Sequence, residues 1–140
     1  MGMDLEMYAI DDSKADMFRE DPYAEFDRES AAGLDFAKSH ETLMEALGDI
    51  DRENGTEGLR QMVFGGERIL EAEMAVLYLA PETVAGMARD LSKVGEGQFE
   101  DAWKRYSPDD VEFAKKLFGR IKRFFSDTAE SKKGIIKFIG

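Results

Sequence analysis

The residues best suited to chemistry lie around the single histidine of the chain, His40. A histidine acts as a general base only when a second group orients it and a substrate lies within reach. Glu41 is adjacent in sequence, but neighbouring residues of a helix lie about 100° apart around its axis, so the two would not form a dyad. The simpler interpretation of His40 is a packed histidine. A ligand site formed by Lys38, His40 and Glu41 is the alternative.

One acidic stretch resembles a calcium-binding loop but lacks two of its defining residues. Asp49, Asp51 and Glu53 alternate as in such a loop, whereas the glycine falls one place late, at Gly55. The twelfth position is Arg60, where a bidentate glutamate is required. The chain also has no cysteine, which excludes thiolate metal ligands and cysteine nucleophiles. We therefore predict no metal site and no cofactor, and the sequence favours a protein that is not an enzyme.

Charge is the strongest feature of the composition. The net charge is −11, and residues 1–75 carry 20 acidic and 7 basic side chains, whereas residues 76–140 carry 10 and 12. Such a surface repels phosphate backbones, so we expect no nucleic-acid partner, and a basic protein is the natural complement. Solubility alone is the other interpretation. The predicted binding residues lie where acids are densest: Glu20, Glu25, Asp27 and Glu29.

The elements that would position these residues form a mainly helical α+β fold with a small sheet of about three strands. The predicted strands are residues 3–10, which alternate in polarity, 74–79 and 135–139. Residues 69–74 fit a strand or a helix. We expect one domain over residues 1–140, because no linker-like stretch or internal repeat interrupts the chain.

Capping residues and apolar spacing predict the helices. Apolar residues spaced three and four apart predict a helix over residues 34–47 that Gly48 ends, followed by a loop over 49–58. Pro22, Pro81 and Pro108 each follow a plausible cap or strand end and would occupy a first helical turn.

Aromatic residues of the second half predict where the core is densest. Phe99 and Trp103 would be buried against the helix that follows Pro108. Phe113 and Phe124 would line the core face of that helix.

Several short motifs resemble the YfbM-like family, a bacterial domain of unknown function. They are Gly2-Met3, a helix start at residues 34–38, the Gly-Gly-Glu turn at 65–67, the strand-to-helix step at 77–84, and Tyr106-Ser-Pro. His40-Glu41 stands where the family has a Trp-His pair, and Ala80 replaces its Ser or Thr cap. The resemblance implies a fold and a bacterial cytoplasmic setting, not a reaction.

The start of the chain and its hydropathy favour the same location. Residues 1–10 lack the basic region of a signal peptide, and no apolar run approaches the roughly 20 residues that span a bilayer. We therefore expect a cytoplasmic protein that contacts no membrane. Its most plausible role is a non-catalytic acidic module that binds a protein, by weak analogy an inhibitor or immunity protein.

Because each ligand pattern fails at a defining position, common ligands should not stabilise the fold. Calcium, magnesium, zinc and nucleotides should leave the melting temperature nearly unchanged in a thermal-shift titration. A saturable rise with any one of them would contradict the prediction, because a ligand that binds only the folded state stabilises it.

Overall fold

The computed structural model describes residues 4–29, 31–37 and 39–140. This part of the chain forms five strands and six helices. They are β1 (Leu5–Ile10), α1 (Asp12–Glu20), β2 (Gly33–Ala37), α2 (His40–Asn54), α3 (Gln61–Phe64), β3 (Glu67–Glu71), β4 (Ala75–Leu79), α4 (Pro81–Leu91), α5 (Glu96–Lys104), α6 (Val111–Glu130) and β5 (Gly134–Ile139).

The strands form one antiparallel sheet in the order β2-β1-β5-β4-β3. The last strand of the chain, β5, is therefore central: Ile135 pairs with Ala9 on one side and with Leu79 on the other. Every residue of β5 is buried, because both faces of the sheet are covered. This double coverage explains why the strand is apolar at nearly every position rather than at alternate ones.

The two faces of the sheet are covered unequally. Helices α2 to α6 pack on one face, where alternate strand residues such as Met7, Leu77 and Ile135 join the larger core. The other face carries a smaller core that includes Tyr78 and Phe138, and α1 and the irregular segment 21–29 contact it. We call these the helical face and the second face.

The aromatic packing predicted in the second half of the chain is confirmed, with one correction. Phe99 and Trp103 are buried, and the Phe99 ring stacks on Phe118 of α6 at 4.5 Å between centroids. Phe124 is also buried, but Phe113 is 46% exposed and does not line the core. It lies in the first turn of α6, beside the Trp103 ring at the edge of the core.

The prediction of a helix over residues 34–47 was wrong at both ends. Residues 33–37 form the edge strand β2, where Leu34 and Phe36 are buried and Asp35 between them is exposed. Helix α2 begins only at His40 and continues through Gly48 into the predicted loop. It ends at Gly55, whose φ of 70° lies in the left-handed region that favours glycine.

The sheet has five strands rather than about three, because both of its edges were missed. One edge is β2. The other is β3 at residues 67–71, which overlaps the stretch 69–74 that fits a strand or a helix. Residues 72–74 then turn the chain into β4.

Two prolines do not begin helices. Pro22 lies in a turn where Asp21 accepts the backbone N–H of Tyr23, and Pro108 lies in a turn before α6 begins at Val111. Pro81 does begin α4, as predicted.

A buried lysine links the centre of the sheet to the helical face. Lys137 of β5 is 0% exposed, and its ammonium donates hydrogen bonds to the carbonyls of Met62, Val63 and Gly65 at 2.8, 2.9 and 2.7 Å. These carbonyls lie at the end of α3, where helical carbonyls lack partners within the helix. Burial lowers the pKa of Lys137 to about 7, although the three acceptors favour the charged form.

Replacing this lysine should destabilise the fold measurably. Lys137→Met keeps much of the volume but leaves three buried carbonyls without a donor, at a cost of about 2 kcal/mol or more in the free energy of unfolding. Urea denaturation at pH 7 measures the difference. A change within experimental error would mean that the carbonyls find other donors.

The same lysine should make stability depend on pH. Between pH 7 and the ordinary lysine pKa of about 10.4, the unfolded chain binds this proton and the folded chain does not. The free energy of unfolding should therefore rise with pH from about 7 to about 10.4, and Lys137→Met should lack this contribution. Equal slopes in both proteins would contradict the lowered pKa.

Candidate functional site

The predicted binding residues belong to one stretch on the second face. We call residues 16–29 the acidic segment; it comprises the end of α1 and the irregular chain after it. Glu20, Glu25, Asp27 and Glu29 are all exposed. Asp27 accepts the backbone N–H of Glu29, which forms a tight turn. Within the described residues, no hydrogen bond or ion pair engages the carboxylates of Glu20, Glu25 and Glu29.

The two basic residues of the acidic segment are already paired with acids. Arg19 donates to Asp16 at 2.6 Å and to both carboxylate oxygens of Glu67 at 2.8 Å. These hydrogen bonds hold the pKa of Glu67 below its usual range. Arg28 lies against Glu6 of β1 at longer distances of 3.3 and 3.4 Å. The segment therefore has little positive charge left to balance its remaining acids.

Phe26 attaches the irregular chain to the sheet. Its ring packs edge-on against Tyr8 and Phe18, with centroids 5.3 and 5.8 Å away, and it lies 6.4 Å from Phe138. We call these four rings the aromatic cluster. Because the chain from 21 to 29 has no helix or strand of its own, this packing is what positions the exposed carboxylates on either side of Phe26.

Hollows in the surface surround the aromatic cluster. The largest, of about 610 Å³, is lined by Ala24, Glu25, Phe26, Asp27, Arg28 and Phe138. A second, of about 300 Å³, shares Arg28 and Phe138 and is otherwise lined by Asp4, Glu6, Glu73, Met74 and Gly140. A third, of about 220 Å³, lies beyond Phe26 and includes the basic residues Lys14 and Lys133. In this third hollow the acids Asp11 and Asp27 are balanced by the two lysines, whereas the two hollows beside Phe138 have more acids than bases.

Arg28 lies between the two acidic hollows. Its guanidinium carbon is 4.6 Å from the centroid of the Phe138 ring and 6.0 Å from that of Tyr8. Both distances are within the range of a cation–π interaction. The Tyr8 hydroxyl donates a hydrogen bond to Glu6, so one carboxylate contacts both the phenol and the guanidinium. Burial and this hydrogen bond raise the pKa of Tyr8 to about 12.

The calcium-like stretch is part of the structure of the helical face. Asp51 is fully buried and accepts the backbone N–H groups of Leu59 and Arg60 and the hydroxyl of Thr56. Asp49 accepts from Tyr106, which lowers its pKa together with Arg105. These carboxylates therefore bind their own chain. In the described ranges no group of three His, Cys, Asp or Glu side chains is placed to hold a metal ion.

The structure describes two of the three residues of the alternative site at His40. His40 is 2% exposed at the start of α2, and its ring meets Phe64 edge-on at 6.1 Å. Glu41 is exposed, and Lys38 lies outside the described residues. The packed histidine expected from the apolar spacing is confirmed, whereas a ligand site at these three residues stays a prediction. None of the helices described is long and apolar enough to cross a membrane.

Fold and surface together define an α+β domain whose antiparallel sheet has five helices on one face and an acidic, aromatic hollow on the other. The chain belongs to the family Domain of unknown function (DUF1877), whose model matches residues 1–138. The crystal structure of a protein of unknown function, YfbM from Escherichia coli, is similar, with a TM-score of 0.68 over 98% of this chain and 99% of that one. The resemblance to the YfbM-like family is thereby confirmed.

These comparisons establish the fold and no activity. Sequence identity to the Escherichia coli protein is 13%, so the likeness concerns the backbone rather than the side chains of any site. No curated protein sequence matches the chain. The function must therefore be argued from the residues themselves.

The sequence predicted the acids of the acidic segment, but not the other acids of the hollows or the rings of Tyr8 and Phe138. Tyr8 and Phe138 lie on the first and last strands, and only the pairing of Tyr8 with Ile136 in neighbouring strands brings their faces together. The alternation within residues 3–10 was the available signal, because it places Glu6 and Tyr8 on one face.

The raised pKa of Tyr8 gives a direct check of this geometry. Tyr8 should titrate near pH 12, and Glu6→Gln should lower that pKa by removing the carboxylate acceptor, while burial keeps it above the usual value of about 10. Carbon NMR of the tyrosine ring, assigned with Tyr8→Phe, measures both values. An identical Tyr8 pKa in the two proteins would show that Glu6 does not contact the phenol in solution.

Proposed function

We propose that this protein is a non-catalytic binding module of the bacterial cytoplasm, and that its acidic segment contacts a basic protein. The observation that carries the proposal is the set of exposed carboxylates at Glu20, Glu25 and Glu29 that lack a counter-charge in the described chain. A carboxylate without a partner costs little in water, and it gains Coulomb energy when a cationic surface approaches.

On the helical face, two bases, Arg105 and Lys115, pair with acids of the same chain. Arg105 pairs with Asp49 and Glu53 at 3.0 and 3.1 Å. Lys115 lies 3.7 Å from Glu100 and 3.3 Å from Glu112. These two bases are thus balanced within the molecule, whereas Glu20, Glu25 and Glu29 of the acidic segment are not.

A surface of this kind speeds association more than it tightens the complex. Fields from clustered charges steer an oppositely charged partner, and salt screens them over about 8 Å at physiological ionic strength. An inhibitor or immunity protein for a basic toxin fits such electrostatics and the size of the chain, although that step rests on analogy. Recognition would also use the hollows beside Phe26, because charge alone discriminates poorly between basic partners.

Neutralising the acidic segment should weaken capture of basic proteins without harming the fold. The variant is Glu20→Gln, Glu25→Gln, Asp27→Asn and Glu29→Gln together, immobilised beside the wild type in lysate of the native host. We expect the wild type to retain basic proteins that are released by salt and that the variant does not retain. Urea denaturation should show equal or slightly higher stability of the variant, since exposed charges contribute little each.

A matched control removes the same charge elsewhere. Glu57→Gln, Asp101→Asn, Asp109→Asn and Glu130→Gln are exposed positions outside the acidic segment. This control should capture the same proteins as the wild type. If both variants capture less protein to the same extent, net charge alone explains the effect. If all three proteins capture equally and without salt dependence, the acids serve solubility rather than binding.

A further inference from the structure

Arg28 occupies a position that a ligand could take. Its side chain is 45% exposed, and its hydrogen bonds to Glu6 are long, at 3.3 and 3.4 Å. It lies over the Phe138 ring at 4.6 Å, between hollows of about 610 and 300 Å³. The chain that carries it has no regular secondary structure, so the guanidinium can leave the ring without unfolding a helix or a strand.

The groups around Arg28 are those that recognise an organic cation. Aromatic ring faces attract ammonium and guanidinium groups, and carboxylates around them add charge complementarity. Phe138 and Tyr8 supply the ring surfaces here. The carboxylates that line the two hollows are Asp4, Glu6, Glu25, Asp27 and Glu73. Five acids thus surround a site that holds a single arginine.

We propose that the Phe138 ring and its acidic walls are a seat for an arginine side chain of the partner protein, and that Arg28 fills this seat while the protein is free. The inference rests on the proposed function, because it assumes a basic partner. It goes further by naming the side chain that is recognised and the contact that must be exchanged. Binding then replaces one guanidinium by another over Phe138, and Arg28 moves into solvent.

Such an exchange lowers affinity in a way that mutation can reveal. A partner must displace Arg28, so the apparent affinity is reduced by the fraction of molecules in which the seat is filled. Arg28→Gln empties the seat and retains a polar side chain. It also removes one positive charge, which would strengthen binding of any cation, so a control with the same charge change is needed. Arg68→Gln serves, because Arg68 pairs with the exposed Glu71 on the edge strand β3 and lines neither hollow.

The test uses a fluorescein-labelled octapeptide of alternating glycine and arginine, with citrulline in place of arginine as the uncharged control. Fluorescence anisotropy should show that Arg28→Gln binds the arginine peptide about fivefold more tightly than Arg68→Gln does, a factor within the range of a cation–π contact. The citrulline peptide should bind neither. Adding Phe138→Leu to Arg28→Gln should abolish the gain, because leucine retains apolar volume without a ring.

A second measurement follows Arg28 itself in the wild type. Its Nε–H NMR signal should be shifted upfield in the free protein by the Phe138 ring and should move to the value of a solvated arginine as the peptide saturates the site. An unchanged signal at saturation would overturn the exchange even if the peptide binds.

The outcomes separate this inference from the proposed function. Equal affinities of Arg28→Gln and Arg68→Gln for the arginine peptide would contradict the proposed seat, even if neutralising the acidic segment still abolishes binding. Full affinity in the neutralised variant would instead overturn the role of the acidic segment. Equal binding of the citrulline peptide would show that the hollow accepts a peptide without regard to charge. Dimerisation of Arg28→Gln without peptide would assign the seat to a second copy of this chain.

Discussion

The contact between Lys137 and the end of α3 is the constraint on which the arrangement of this fold depends. A lysine at the centre of a sheet is tolerated only when its charge and donors are satisfied, because burial of an unpaired ammonium costs several kcal/mol. Three carbonyls of residues 62, 63 and 65 meet that requirement. They fix where α3 lies on the sheet. The chain then turns at Gly66, whose φ of 101° brings the backbone against Tyr78 and into β3.

The sheet is covered unequally because most helices lie in one part of the chain. Helices α2 to α6 fall between β2 and β5 in sequence and pack on the helical face. Only α1 and residues 21–29 remain for the second face, and they are rich in acids. A nine-residue helix cannot cover a five-stranded sheet, so the aromatic cluster completes the smaller core and hollows remain beside it. Acidic side chains at their rims keep this apolar surface hydrated and limit association with other proteins.

The parts of the fold that were predictable are those in which local spacing decides the structure. Residues around β4 and β5 and the helix after Pro81 had short apolar runs or strong start signals, and these were predicted correctly. Leu34 and Phe36 fit the first turn of a helix as well as an edge strand, and pairing with β1 decides between them. The predicted helix start at Pro108 was also wrong, because several residues near it can begin a helix and α6 begins at Val111. For the site, the sequence located the acids of the acidic segment. It did not locate Asp4, Glu6 and Glu73, which meet Phe138 because β5 pairs with β1 on one side and with β4 on the other.

Two cations lie at neighbouring residues of β5 and differ in how firmly they are held. Lys137 and Phe138 are neighbours in β5 and therefore face opposite sides. The Lys137 ammonium is buried and makes three short hydrogen bonds to the end of α3. Arg28, over Phe138, is half exposed, makes long hydrogen bonds and is carried by irregular chain. A contact that costs little to break and whose surroundings still favour a cation is suited to exchange. The proposed exchange would add to the charge of the acidic segment a selectivity for arginine that charge alone lacks.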